Sequence, residues 1–160
     1  MSKSRKASGL RQPSSSRERP TAAQRRAVEA RANGVCEYCR ILKSFVPEPF
    51  NVEHIIPVAQ SGKTEIGNLA WACAGCNYYK HNKIKAVDPQ TNQEVRLFNP
   101  RSQRWEEQFV WDKSAKLLIG LTATGRATIQ ALRLNREELI NLRWALGELG
   151  LHPPIIGSQT

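Results

Sequence analysis

All four cysteines of this chain fall into two C-x-x-C pairs, Cys36/Cys39 and Cys73/Cys76, with 33 residues between them. Each pair presents two thiolates from a tight knuckle, and tetrahedral Zn²⁺ takes four, so the pattern points to one structural zinc rather than to disulfides. A redox role would need a pair that opens a thioredoxin-like βαβ unit, and neither pair does so. Zinc ribbons usually place about 15–20 residues between their pairs; the longer spacer here has room for a second task.

Charge separates the chain into unequal parts. Of the formal +10, residues 1–31 carry nine basic and two acidic side chains, and the remaining 129 carry fifteen and twelve. Residues 1–20 hold six Ser, six Lys or Arg and almost nothing to bury, so they are expected to form a disordered basic arm. Such an arm either solvates the protein or neutralises the phosphates of a polyanion. No apolar run approaches the ~20 residues needed to span a bilayer, and no apolar segment follows the basic start. A soluble, cytoplasmic protein with no membrane partner is the expectation.

Thr21 is a candidate N-cap for a helix over 22–32, and Asn33-Gly34 supplies a left-handed stop before the first knuckle. A β-type run from Phe50 to Ile56 ends against Pro57, a second short strand covers Leu69–Ala72, and a helix follows from Gly75 to about Lys85. Beyond Asp88, strands are expected at 94–98, 108–111 and 116–121. Asn135 with Glu138 reads as a capping box for a last helix whose Leu139, Leu142, Leu146 and Leu149 share one face. The expected division is a basic arm (1–20), a core (21–88), an extension packed on the core (89–153) and a short tail (154–160). The four tryptophans, Trp71, Trp105, Trp111 and Trp144, read as core more readily than as base-stacking platforms.

The spacer and its border carry the chemistry: Glu53-His54, then Asn68, then Asn77, Lys80 and His81 after the last cysteine. Metal-assisted hydrolysis needs a base for water and a cation for the negative charge that develops on oxygen. His54 suits the first task, because its ordinary pKa lies near working pH. Glu53, Asn77 and His81 suit the second. Asn77 and His81, four apart, share a helical face from which Cys76 points roughly 100° away, so one helix can separate two metals. Glu53 and His54 alternate across an ideal strand, so a bend at its end is required for both to serve one site.

The strings C-E-Y-C, V-E-H-I-I-P and G-N-L-A-W-A-C-x-x-C-N-x-x-K-H resemble the HNH endonuclease family, in its form with a ββα-metal core stapled by a four-cysteine zinc. The intervals agree with the family pattern: fourteen residues from His54 to Asn68 and nine from Asn68 to Asn77. F-N-P-R, G-R-A-T and L-N-R, within 86–153, are similar to the extended C-terminal tail of one bacterial subgroup. The resemblance implies that His54 is the general base and that Asn68 holds the loop carrying it. It also implies that Glu53 and Asn77 bind the catalytic divalent ion, with His81 matching the third ligand of the colicin DNase form. Glu53 stands where Asp is frequent and Asn77 where a His often stands; their oxygens favour Mg²⁺ or Mn²⁺.

The expected fold is therefore α+β, a ββα-metal core stapled by a four-cysteine zinc, with a small C-terminal strand and helix extension. The expected function is metal-dependent cleavage of DNA that leaves a 5′-phosphate, with Lys80, Lys83 and Lys85 meeting the nucleic acid. Two other readings stay open: a zinc-stapled nucleic-acid-binding module without cleavage, and a nuclease subunit that docks a second copy or a partner protein through residues 91–151.

Overall fold

The computed structural model describes residues 19–156. The expected basic arm lies outside the described residues except for Arg19 and Pro20, as does the tail after Ile156. Helix α1 spans Ala22–Arg31, and Thr21 caps it in a capping box: the Thr21 side chain accepts from the Gln24 N–H while the Gln24 side chain accepts from the Thr21 N–H. The helix stops at Asn33 and Gly34, both at positive φ, 50° and 71°. The first Cys knuckle follows at once.

Strands β1 (Asn51–His54) and β2 (Leu69–Ala72) pair antiparallel, with Glu53 opposite Ala70 and His54 opposite Leu69. The knuckle is stitched to this hairpin through Glu37, whose N–H donates to Trp71 O at 2.9 Å and whose carboxylate accepts from Trp71 N–H at 2.7 Å. Helix α2 runs Ala74–Lys80 directly out of β2, with the Cys73 sulfur accepting from the Cys76 N–H at its start. Strand, strand and helix thus form a ββα unit, with the second cysteine pair at the junction of β2 and α2.

The remaining residues form a second layer. A hairpin of β3 (Lys85–Val87) and β4 (Glu94–Arg96) leads to a short helix α3 (Trp105–Gln108). A second hairpin, β5 (Phe109–Trp111) and β6 (Leu118–Gly120), precedes helices α4 (Ala123–Ala131) and α5 (Glu137–Glu148). One apolar core runs through both layers, from Val28, Tyr38 and Trp71 to Phe98, Trp105, Phe109, Leu132 and Leu146. Edge-on aromatic contacts carry it across: Tyr38 meets Phe98, and Phe98 meets Phe109 at 5.2 Å. The buried Trp105 indole N–H donates to Tyr38 O at 2.9 Å.

Four expectations need correction. Helix α2 ends at Lys80 and not near Lys85, because His81 adopts φ 45°, ψ −124° and the chain turns into β3. Asn135 does not cap α5; Arg136 occupies that position, and the Asn135 amide is drawn away to Leu118, accepting from its N–H at 2.8 Å and donating to its carbonyl at 2.9 Å. Leu139 and Leu146 are buried, but Leu149 is exposed, since α5 stops at Glu148. Trp144 is exposed too, in contrast to the buried Trp71 and Trp105.

Candidate functional site

Glu53 and His54 end strand β1, and the chain bends immediately afterwards. Pro57 opens a short 3₁₀ turn, Val58–Gln60, and Gly62 returns to donate its N–H to Pro57 O at 3.0 Å. A Cβ at Gly62 would lie 1.8 Å from Ile56 O, so only glycine permits so tight a return. Asn68 locks the loop from inside: its amide NH₂ donates to Ile56 O and Lys63 O, and its carbonyl oxygen accepts from Ile56 N–H, each at 2.9 Å. The side chain of Asn68 therefore acts on the loop and not on a ligand.

The bend brings Glu53, His54, Asn77 and His81 to the wall of one open cleft of about 570 Å³, which Arg19, Val58 and Tyr78 also line. Asn77 comes from the middle of α2. His81 reaches the same wall from just beyond the helix end, by its positive φ rather than by a continued helical face. Among the described residues no hydrogen-bond partner holds the Asn77 amide or the His81 imidazole, so both keep free donor atoms at the cleft.

The Glu53 carboxylate is buried and occupied. One oxygen accepts from the Tyr38 hydroxyl, and the other lies 2.9 Å from the Lys80 ammonium. Burial pushes the Glu53 carboxyl above its ordinary value, and Lys80 and Tyr38 pull it back down. A carboxylate has about four lone-pair directions, so two remain for a cation.

Lys80 is 1% exposed and also donates to the carbonyls of His54 and Ile55 at 3.1 and 3.0 Å. It cannot meet a phosphate, which corrects its assignment to nucleic-acid contact. Lys83, beyond the end of α2, donates back to Tyr79 O at 2.7 Å, and Lys85 pairs with Glu94 across the β3–β4 hairpin; neither lines the cleft.

His54 is held by a residue that sequence reasoning missed. Its Nε2 lies 2.8 Å from the Thr64 hydroxyl, and the Thr64 carbonyl accepts from Gln24 of α1 at 2.9 Å. Burial and then the nearby Lys80 charge lower the His54 pKa from its ordinary value, which favours the neutral imidazole. Only the loop position of Thr64, ten residues after His54, hinted at this, and a threonine among polar loop residues carries no chemical signature of its own.

At the start of α2, the four buried sulfurs of Cys36, Cys39, Cys73 and Cys76 all lie within 4.8 Å of one another. Cys39 and Cys73 are 3.7 Å apart, and tetrahedral zinc with Zn–S bonds of about 2.3 Å spaces its sulfurs by about 3.8 Å. Hydrogen bonds from Cys36, Cys39 and Cys76 hold the Cys73 thiol well below the ordinary range, while burial pushes Cys36 up. Four sulfurs at this spacing fit a candidate zinc site. Neither a curated protein nor a solved structure matches the chain. Residues 36–83, from the first cysteine through the turn after α2, match the family model for HNH endonuclease, and this stretch of the chain is an HNH domain.

Proposed function

We propose that this chain is a metal-dependent endonuclease acting on DNA, with a structural zinc held by Cys36, Cys39, Cys73 and Cys76. The observation that carries the reading is the convergence of Glu53, His54, Asn77 and His81 on one cleft, with two of the four clustered cysteines at the start of the short helix that carries Asn77. Glu53, Asn77 and His81 would hold a hard divalent ion, Mg²⁺ or Mn²⁺, through oxygen and imidazole donors. Once bound, that ion supplies positive charge to the phosphate's non-bridging and leaving oxygens.

The chain's own residues do the rest. His54, neutral and fixed through Nε2 by Thr64, removes a proton from water in line with the scissile bond. The water oxygen bonds to phosphorus, the bond from phosphorus to the 3′ oxygen breaks, and that oxygen takes its proton from solvent. The products are a 5′-phosphate and a 3′-hydroxyl. Asn68 keeps the loop closed around His54, and Lys80 fixes the strand end by its two carbonyl bonds. Incubation with supercoiled plasmid tests the reading: relaxation or linearisation with Mg²⁺ or Mn²⁺ and none with chelator supports it, and no cleavage with any divalent ion leaves a binding module instead.

A second reading, a nuclease subunit of a larger assembly, is favoured by the outer face of the β5–β6 hairpin. Val110 and Ile119 are cross-strand partners there, and both are exposed, as are Leu117 and Leu121. Light scattering of the purified chain, before and after Ile119→Glu, tests whether that face makes a second copy adhere.

A further inference from the structure

Helix α5 begins beside the cysteine cluster. Arg136, its N-cap, makes no side-chain cap of its own and instead extends its guanidinium over the first turn of α2. Nη2 lies 3.5 Å from the Cys73 sulfur, and Nη1 lies 4.0 Å from the Cys76 sulfur and 3.3 Å from Arg133 O. The ring of Tyr79 flanks the same group, 5.9 Å from the guanidinium carbon. Seven residues on, Arg143 is buried and donates to the carbonyls of Leu134 at 2.8 Å and Cys39 at 3.5 Å. One helix of the extension thus serves both knuckles.

We infer that Arg136 is a positioning residue of the metal centre, so that the four-cysteine site is completed by the C-terminal extension rather than by residues 36–83 alone. This rests on the zinc reading above. Four thiolates around Zn²⁺ leave a net charge of about −2 in a buried setting, where uncompensated charge is costly. A guanidinium donating to two of the sulfurs offsets that charge and fixes the sulfur lone pairs toward the ion. The sequence makes room for it at Gly75, between the two cysteines of the second knuckle: a Cβ there would lie 2.5 Å from Arg136 Nη2.

Gly75→Ala therefore displaces the guanidinium without deleting it, and because the displaced atoms are the end of a flexible side chain, the fold is kept. The test uses the full chain loaded with zinc, and zinc release to a colorimetric chelator is compared for wild type, Arg136→Met, Arg136→Lys and Gly75→Ala. Loss of an outer partner of a metal ligand typically lowers metal affinity about 10–100-fold. Arg136→Met and Gly75→Ala are expected to fall in that range, and Arg136→Lys, which keeps charge but not the fork, between them and wild type. With Co²⁺ in place of zinc, the sulfur-to-metal absorption band should shift in Arg136→Met and Gly75→Ala. If Arg136→Met fails to fold, Gly75→Ala decides. Zinc held as tightly as in wild type, with an unshifted Co²⁺ band, overturns the inference alone; a wild-type chain that takes up no zinc overturns the zinc reading and the inference together.

Discussion

Lys80→Met removes the cation beneath the cleft while nearly preserving the volume of the side chain. Three groups lose their partner at once: the Glu53 carboxylate and the carbonyls of His54 and Ile55. Breaking a buried ion pair from one side typically costs about 3–5 kcal/mol, because the other charge is left behind without compensation. In a protein of this size each kcal/mol moves Tm by about 2–4 °C, so a fall of roughly 6–20 °C is expected in a melt of the zinc-loaded chain. Adding Glu53→Gln should return much of that loss, since the stranded carboxylate is then gone. The coupling between the two sites is expected at the upper end of the ~0.5–3 kcal/mol range for contacting residues. A fall of less than about 1 °C, or weaker DNA binding with an unchanged melt, would refute this reasoning and restore Lys80 to the surface.

Thr64→Val frees the His54 imidazole without touching the proposed metal donors, so cleavage should drop about tenfold or more with DNA binding and zinc content unchanged; rates equal to wild type would show that the hydroxyl does not position the base. Removing residues 1–20 should weaken DNA binding and flatten its salt dependence by roughly 0.9 for each phosphate the arm had neutralised, and an unchanged slope would make the arm a solvating tail. The Asp88 carboxyl, held well below its ordinary value first by its hydrogen bonds from Arg126 at 2.7 and 2.8 Å, contributes stability above about pH 4 that is lost as pH falls toward its folded value. Asp88→Asn should therefore narrow the stability difference between about pH 6 and pH 3, as followed by denaturant melts.

What can be read from the sequence is whatever local chemistry specifies. Thr21 with Gln24, and Asn33 with Gly34, bracket α1 by caps that act within a few residues. The cysteine spacing anticipates the sulfur cluster because tight knuckles present thiols whatever lies between them. Lys80 misleads for the converse reason: a lysine at a helix end is ordinarily solvated, and the acceptors that bury it lie 25 and 26 residues earlier. Asn135 has the chemistry of a cap, but the Leu118 backbone competes for its amide and wins through tertiary packing. Helix α4 is hidden in the sequence because Gly125 and the threonines around it weaken the helical pattern, and its formation depends on packing against β6.

His54→Ala, measured as plasmid cleavage beside a DNA-binding titration and a zinc determination, is the most direct test of the mechanism. Loss of a positioned base is typically worth about 10²–10⁴-fold, and the proposed metal donors and the cysteine cluster are untouched by the change. Cleavage is predicted to fall by that factor while DNA affinity, zinc content and melting temperature stay at wild-type values. Near-normal cutting by His54→Ala would contradict the mechanism, because among the other histidines His81 is assigned to the ion and His152 is packed against Trp111 in the second layer.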